Sequence, residues 1–281
     1  MKAMVRECIA QRGFQYRHST INNNQIAFCP GDNILVLEDD YLRLLKRGLV
    51  KSLATEPNDF QTPEKDIVDI FPKHSPELWV VGDGPTSMMM KNKWSKEAVT
   101  FAVNRCFYER KQDGSPALGL IPDYYIALDD FTMVHEEEKI KSLSSLRKFT
   151  KRGNAKSGKW LWPDLRLFDV PEETGFSTEP LVVYHGKTST YCALQLAVQC
   201  GLSFYDASSI KVNIAGIDLA VLQRSDGTTE SHHYGRATFD TCIFTRMLKS
   251  IRYGLDYLNK IGVKWENHSP LLEDRIKDLR K

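Results

Sequence analysis

The sequence predicts an α/β protein in which a mainly parallel sheet is covered by helices on both faces. From residue 78 onward, short apolar runs typical of buried strands alternate with stretches whose apolar residues recur at helical spacing. The predicted strands are 78–81, 100–103, 124–128, 181–184, 212–215 and 263–265, and the predicted helices are about 86–97, 189–200 and 239–261. This order is typical of Rossmann-like folds, in which ligands bind beyond the carboxyl ends of the strands.

The chain is predicted to divide into three parts. These are a small β-rich N-terminal module (1–56), a proline-containing linker (57–76) and the Rossmann-like domain (77–281). In the module, β runs at 25–28 and 33–37 flank a Pro-Gly-Asp turn, and a short predicted helix then ends at Gly48. The module resembles small appended pieces of tailed-phage proteins, which implies a docking or stabilising role.

Composition excludes several classes of protein. The 281 residues carry a net charge of +2, so any contact with nucleic acid is expected to be local. Six cysteines without a Cys-x-x-Cys pair are typical of reduced cysteines in the cytoplasm and argue against structural zinc. No apolar run approaches the ~20 residues of a membrane span, so we expect a cytoplasmic protein, in the host cytoplasm if it is viral. Homo-oligomer formation stays open.

The first predicted strand runs into a glycine-rich turn at residues 82–87, with the sequence Gly-Asp-Gly-Pro-Thr-Ser. Such a turn before a helix presents backbone N–H groups and a positive dipole end, and phosphate is the usual ligand there. The dinucleotide fingerprint is not met, because its third glycine would fall at Ser87. The turn is therefore either a phosphate site or a plain connection. The candidate ligand residues are Gly82, Asp83, Gly84 and Thr86.

Polar residues also follow the next two predicted strands. Asn104 could contact a base or ribose edge, or it could cap the following turn. Asp129 and Asp130 could hold Mg²⁺ on a diphosphate, because carboxylate oxygens are ligands that this ion prefers. They could equally cap the segment that follows.

A second candidate anion site lies at the start of the predicted helix 189–200. Thr188 and Ser189 supply polar groups to its first turn. The preceding Gly-Lys-Thr sequence is not a phosphate-binding P-loop, since Leu181 stands where the motif requires glycine.

Two further candidates come from the last third of the chain. Asp218 lies in the loop after the predicted strand 212–215, within a Gly-Ile-Asp sequence. His232 and His233 follow in a polar tract, where a histidine could act as a general base or simply lie in an exposed loop.

Residues 139–159 contain eight Lys or Arg and no acidic residue, followed by Trp160 and Trp162. Basic residues beside aromatic ones could contact a polyanion or cover a phosphorylated donor. The alternative is a solvated helix and loop that is balanced by three glutamates at 136–138.

Taken together, four segments resemble the MptE-like domain family in their order and spacing. They are 81–87, 121–129, 188–201 and 214–220, followed by Asp226-Gly227 and His233. The family includes archaeal hydroxymethylpterin diphosphokinases and the core of motility-associated flagellin glycosyltransferases. Bacterial CMP-sialic-acid-dependent sialyltransferases are a more distant likeness. The resemblance covers about residues 78–268 and implies a Rossmann-like transferase that binds a nucleotide.

The chain departs from the sialyltransferase pattern at four positions. Asp83 replaces an asparagine and Thr190 a glycine, while the phosphate-stabilising tyrosine falls at Ala220 and the catalytic histidine near Arg236. These departures argue against CMP-sialic acid as the donor.

The sequence thus predicts a glycosyltransferase that moves a sugar from a nucleotide sugar to a hydroxyl acceptor. His233 is the expected base, and Asp129 is a metal or acceptor contact, with Asp130 as the second metal candidate. The expected donor-binding residues are Gly82, Asp83, Gly84, Thr86, Asn104, Thr188, Ser189 and Asp218. The alternatives are an ATP-dependent diphosphokinase of the pterin type and a catalytically silent, phage-type binding or structural module.

Overall fold

The computed structural model contains two compact units, Met1–Glu64 and Lys65–Lys281. The described residues are 5–10, 14–17, 25–28, 33–37 and 50–52 in the first unit, and 67–91, 93–151, 165–168, 175–220, 222–223, 227, 229–234 and 241–272 in the second.

The described part of the first unit consists of antiparallel strand pairs. Strand β1 (Val5–Ala10) pairs with β4 (Asn33–Leu37) and with β5 (Val50–Ser52), and β2 (Phe14–Arg17) pairs with β3 (Gln25–Phe28). The predicted β runs at 25–28 and 33–37 are strands. The helix predicted to end at Gly48 lies outside the described residues.

The second unit is built on a seven-stranded parallel sheet in the order β10-β9-β8-β7-β6-β11-β14. Its strands are β6 (Glu77–Val81), β7 (Val99–Val103), β8 (Tyr124–Ile126), β9 (Arg147–Lys151), β10 (Leu165–Phe168), β11 (Lys211–Ala215) and β14 (Lys264–Asn267). A separate antiparallel pair is formed by β12 (Leu222–Gln223) and β13 (Thr229–Glu230). The predicted parallel α/β fold is confirmed.

Helices cover both faces of this sheet. The α-helices are α1 (Ile67–Ile70), α2 (Asp130–His135), α3 (Glu137–Ser142), α4 (Ser189–Phe204) and α5 (Thr241–Ile261), and Pro85–Met90 and Ala207–Ser209 are 3₁₀ helices. Side chains alternate between the two faces along β6. Leu78 and Val80 therefore join the core beneath α4 and α5, whereas Trp79 joins the core beneath α2 and α3. Within the described residues, no helix has the length and apolar character that crossing a membrane requires.

Two predicted elements were wrong, each for a long-range reason. Residues 181–184 are not a sheet strand, because Gln195 and Gln199 of α4 bind the backbone there in place of a neighbouring strand. The predicted helix 86–97 ends early at Met90, and Trp94 packs on Trp79 as the chain turns toward β7.

Strands β9 and β10 were not predicted, and β9 lies within the basic segment. Lys148 lies in it and is only 2% exposed, although its charge predicts a solvated position. Its ammonium group donates to the Lys141 carbonyl oxygen at 3.3 Å, and its neighbour Phe149 packs in the core. The linker predicted over 57–76 also contributes to this core, through the buried Phe71.

Candidate functional site

A cavity of about 600 Å³ lies at the carboxyl ends of the parallel strands, within the second unit. Loops that follow β6, β7, β8 and β11 form one side of it, and the first turns of α4 and α5 form the other. The sequence-predicted residues that line it are Asp83, Gly84, Asn104, Asp129, Thr188, Ser189 and Asp218. Gly82, Thr86 and His233 do not line it, and the side chain of Asp130 lies outside the described part.

The two glycines of the 82–87 turn are required because the loop that follows β11 packs closely against them. The N–H of Gly82 donates to the Ala215 carbonyl oxygen at 2.8 Å, and the N–H of Gly84 donates to that of Gly216 at 2.9 Å. A Cβ atom at either glycine would collide with the Gly216 carbonyl oxygen. Close approach of the two loops therefore explains both glycines without a ligand.

Asp218 fills the anion position at the start of the 3₁₀ helix. Its carboxylate accepts from the Thr86 N–H at 2.8 Å and also from the Thr86 hydroxyl. The side chain is 1% exposed, and this burial raises its pKa, while the hydrogen bonds from Thr86 act in the opposite direction. The protein itself thus supplies the negative charge that the sequence predicted as a ligand's phosphate.

The N-terminus of α4 opens into the cavity instead. The side chain of Thr188 caps the helix by accepting from the Thr190 N–H at 3.3 Å, and Ser189 begins the helix. Lys187 and Arg246 line the cavity from α4's N-terminal loop and from α5. The positive end of a long helix and two cationic side chains from outside that helix line one cavity, which favours an anionic ligand.

Backbone strain is concentrated around the same cavity. Among the described residues, four non-glycine residues have a positive φ, and three of them line the cavity: Asn104 at 48°, Lys187 at 63° and Leu219 at 45°. Such conformations cost about 1–3 kcal/mol each and are concentrated at active and binding sites. The strain is a second, independent indication that this cavity is the functional site.

A histidine–carboxylate pair lies at the end of β6. The Nε2 of His232 is 3.6 Å from Oδ2 of Asp83, and its Nδ1 is 2.9 Å from the Ser231 hydroxyl oxygen. The amide of Asn104 donates to the same Asp83 oxygen at 3.4 Å. The side chain of His232 is 12% exposed and lines the cavity, so its imidazole can meet a bound ligand.

His233 is committed to the protein interior. It is fully buried, its Nδ1 accepts from the Leu118 N–H at 3.2 Å, and its own N–H donates to the Asp83 carbonyl oxygen at 2.9 Å. Burial lowers its pKa to about 4, so the ring is neutral at pH 7. The expected base role of His233 stays a prediction, and the geometry favours its neighbour His232.

The predicted metal site has one described member, Asp129, whose carboxylate lines the cavity and accepts from the Thr132 hydroxyl at 3.2 Å. Within the described residues, no three His, Cys, Asp or Glu side chains are grouped so as to hold a metal ion. A Mg²⁺ ion would therefore depend on ligand oxygens as well as on Asp129.

The described basic side chains of 139–159 bind other groups of the protein or are buried in it. Lys139 and Lys141 form ion pairs with glutamates within α3 and just before it, Arg147 donates to backbone carbonyl oxygens, and Lys148 is buried. The side chains of the other four basic residues lie outside the described part. The polyanion contact stays a prediction, and the described side chains give it no support.

No protein-family model, curated protein or solved structure matches the chain. The resemblance to the MptE-like domain family therefore remains an expectation from the sequence motifs.

Sequence reasoning missed three cavity residues with suitable chemistry. Lys187 was set aside with the failed P-loop pattern, although its position before a helix start was informative. His232 was considered only as the neighbour of His233, because two adjacent histidines cannot be ranked without their environment. Arg246 lies on α5 among exposed charged residues, and no sequence pattern distinguishes it from them.

Proposed function

We propose that the protein is a transferase that binds a nucleotide sugar and moves the sugar to a hydroxyl group of an acceptor. A single observation carries the proposal: the N-terminus of α4 and the Asp83–His232 pair line one cavity at the carboxyl ends of parallel strands. The start of α4 suits a phosphate group, and the imidazole of His232 can accept a proton.

The phosphate groups of the donor bind at the start of α4. Ser189 and Thr190 belong to its first turn, and Lys187 and Arg246 contribute positive charge from the cavity wall. Hydrogen bonds to ionised groups are about twice as strong as neutral ones. Negative charge grows on the phosphate as the sugar leaves, so the same groups stabilise the transition state more than the bound donor.

His232 acts as the general base. The acceptor oxygen forms a bond to the anomeric carbon of the sugar, its proton passes to Nδ1 of the imidazole in place of the Ser231 contact, and the bond to phosphate breaks with both electrons leaving on the nucleotide. The carboxylate of Asp83, 3.6 Å from Nε2, stabilises the imidazolium that forms.

Apolar residues provide a surface for the nucleoside. Phe244 and Met247 of α5 and Leu219 after β11 line the cavity beside the anion site. Ligand cavities commonly combine such a surface with a few polar groups that fix orientation.

A diphosphokinase that transfers diphosphate from ATP is the second candidate. Asp83 and Asp129 both line the cavity, and two carboxylates beside a nucleotide phosphate suit Mg²⁺. Strict Mg²⁺ dependence with release of AMP would identify this activity, whereas release of a nucleoside mono- or diphosphate from a nucleotide sugar identifies the first.

A thermal-shift panel tests both candidates. It compares CMP, CDP, UDP, GDP, ADP, ATP and common nucleotide sugars, and binding at a hundredfold excess over Kd gives about 2.7 kcal/mol of stabilisation. Arg246→Gln should weaken the response, whereas Lys249→Gln, an exposed position on the same helix that does not line the cavity, should not. If no nucleotide shifts the melting of folded protein, the catalytically silent module is the better account.

A further inference from the structure

A cluster of aromatic and charged side chains packs against His232 through one of its members. Its members are Arg105, Tyr108, Glu136 and Tyr234, and none of these four lines the cavity. Direct ligand contact therefore does not explain them. Tyr234 links this cluster to the proposed catalytic residues, because its ring stacks on the ring of His232.

Tyr234 stacks on His232. The centroids of the two rings are 5.0 Å apart, with planes inclined by 27°. The Nε2 of His232 also lies 3.6 Å from Asp83, and its Nδ1 contacts the adjacent Ser231. A stacked ring restricts rotation about the second side-chain dihedral of His232, because rotating the imidazole would break the ring contact.

Tyr234 is itself held on two sides. The guanidinium of Arg105 lies 5.5 Å from its ring centroid and makes a cation–π contact with it. The ring of Tyr108 meets it edge-on, with centroids 5.4 Å apart and planes at 66°. Burial raises the pKa of Tyr234, so the phenol stays neutral.

Glu136 holds Arg105 and Tyr108 in turn. Its Oε1 accepts from Nε of Arg105 at 3.0 Å and from the Tyr108 hydroxyl. The side chains of Glu136 and Arg105 are only 7% and 18% exposed. A mostly buried pair of this kind is geometrically well defined, and removing one partner leaves the other uncompensated.

We propose that Tyr234, braced by Arg105 and Glu136, is a positioning residue that sets the plane of His232. With its ring fixed against Tyr234, His232 keeps Nε2 toward Asp83 and one edge toward the cavity. The catalytic meaning of this positioning rests on the proposed function, because there His232 is the base. The positioning itself can be measured without any donor.

The first test is the NMR spectrum of the histidine ring protons in the full-length protein, with the His232 signals assigned from their absence in His232→Gln. The ring current of Tyr234 is expected to move the His232 signals upfield. Tyr234→Phe should keep this shift, because the ring remains, whereas Tyr234→Leu should abolish it. His74, which stacks on Phe204 with centroids 3.8 Å apart, is the internal control and should be unchanged in both variants.

Arg105→Met is the second variant, for use if Tyr234→Leu fails to fold. It removes the brace and leaves the stacking partner, so the His232 signals should broaden or shift partway toward free histidine. Unchanged His232 signals in a folded Tyr234→Leu or Arg105→Met protein would overturn the proposal.

The functional test applies once a donor has been found. Tyr234→Leu should lower kcat about tenfold to a hundredfold with little change in the donor KM, and Tyr234→Phe should retain most of the activity. An equal loss in the two variants would overturn the positioning role. Absence of any donor would remove the proposed function and leave the NMR result as the measure of positioning.

Discussion

Residues at the carboxyl end of the sheet fall into two groups. The polar groups of some, including Gly84 and Asp218 at the cavity wall, are hydrogen-bonded to other parts of the protein, whereas those of others are directed at the cavity. The two candidate anion sites illustrate the division. At the 3₁₀ helix Pro85–Met90, the carboxylate of Asp218 already accepts the Thr86 N–H. At α4, the first turn and Lys187 line the cavity. A helix N-terminus is available to a ligand only where the chain does not supply its own anion.

The adjacent histidines divide in the same way. His233 is fully buried and joins the loop to Leu118 and Asp83, whereas His232 lines the cavity. Substitutions in the first group should therefore change the free energy of unfolding. Substitutions in the second group should change binding or turnover and leave the fold intact. The predictions below test this division, from the largest effect to the smallest.

His232→Ala should lower turnover by about 10²–10⁴-fold, the usual loss for a general base. Donor affinity should change little, because the base acts on the acceptor. The variant should still fold, and loss of the stacking on Tyr234 should lower the free energy of unfolding by no more than about 1.5 kcal/mol. Steady-state kinetics with an identified donor measures this effect, and unchanged kcat would remove His232 from the mechanism.

Asp218→Ala should lower the free energy of unfolding by about 3 kcal/mol. Hydrogen bonds to a charged group are worth about 1.5–3 kcal/mol each, and Asp218 accepts two from Thr86. Asp218→Asn keeps one acceptor oxygen and should lose about half as much. Urea denaturation measures both variants. A normally stable Asp218→Ala protein that fails to bind nucleotide would instead make Asp218 a ligand residue.

The stability of the protein should depend on pH through His233. Its pKa is about 4 in the folded protein against an ordinary value of 6.5, so protons bind the unfolded chain more tightly. The free energy of unfolding should therefore fall as the pH drops from 6.5 toward 4, by about 3 kcal/mol in total.

His233→Asn is the control for this prediction, because its amide can still accept from the Leu118 N–H but does not titrate in this range. The difference in the free energy of unfolding between the wild type and His233→Asn should be independent of pH above about 6.5. Below that pH the wild type should lose up to about 3 kcal/mol relative to His233→Asn. Parallel pH profiles would mean that His233 does not lose its proton on folding.

Arg246→Gln should weaken nucleotide binding about tenfold, which corresponds to about 1.4 kcal/mol. The effect should shrink at high salt, because Arg246 is exposed and its charge is screened. Isothermal titration calorimetry compares it with Lys249→Gln. Equal affinities of the Arg246→Gln and Lys249→Gln variants would mean that the guanidinium of Arg246 does not contact the ligand.

The sequence was sufficient to predict the α/β class and the central strands, and less so the site. Strands β6, β7 and β11 are mainly apolar runs, as expected of buried strands, so their positions were predictable to within about a residue. Asp218 and Thr86 are 132 positions apart, and no local pattern shows that one completes the helix end of the other. Strand β9 was missed for a similar reason. Its Lys148 predicts a solvated position, and only the tertiary fold brings the Lys141 carbonyl oxygen close enough to accept its hydrogen bond.

The division between groups bonded within the protein and groups directed at the cavity is measured most directly by a ¹H–¹⁵N NMR titration. The ligand is a nucleoside diphosphate that the thermal-shift panel identifies. The account predicts that the amide of Ser189, in the first turn of α4, shifts strongly, while those of Gly84 and Thr86 change little because their N–H groups already donate to Gly216 and Asp218. The matching nucleoside without phosphate should leave the Ser189 amide nearly unchanged. Large shifts at Gly84 and Thr86 with none at Ser189 would contradict the account.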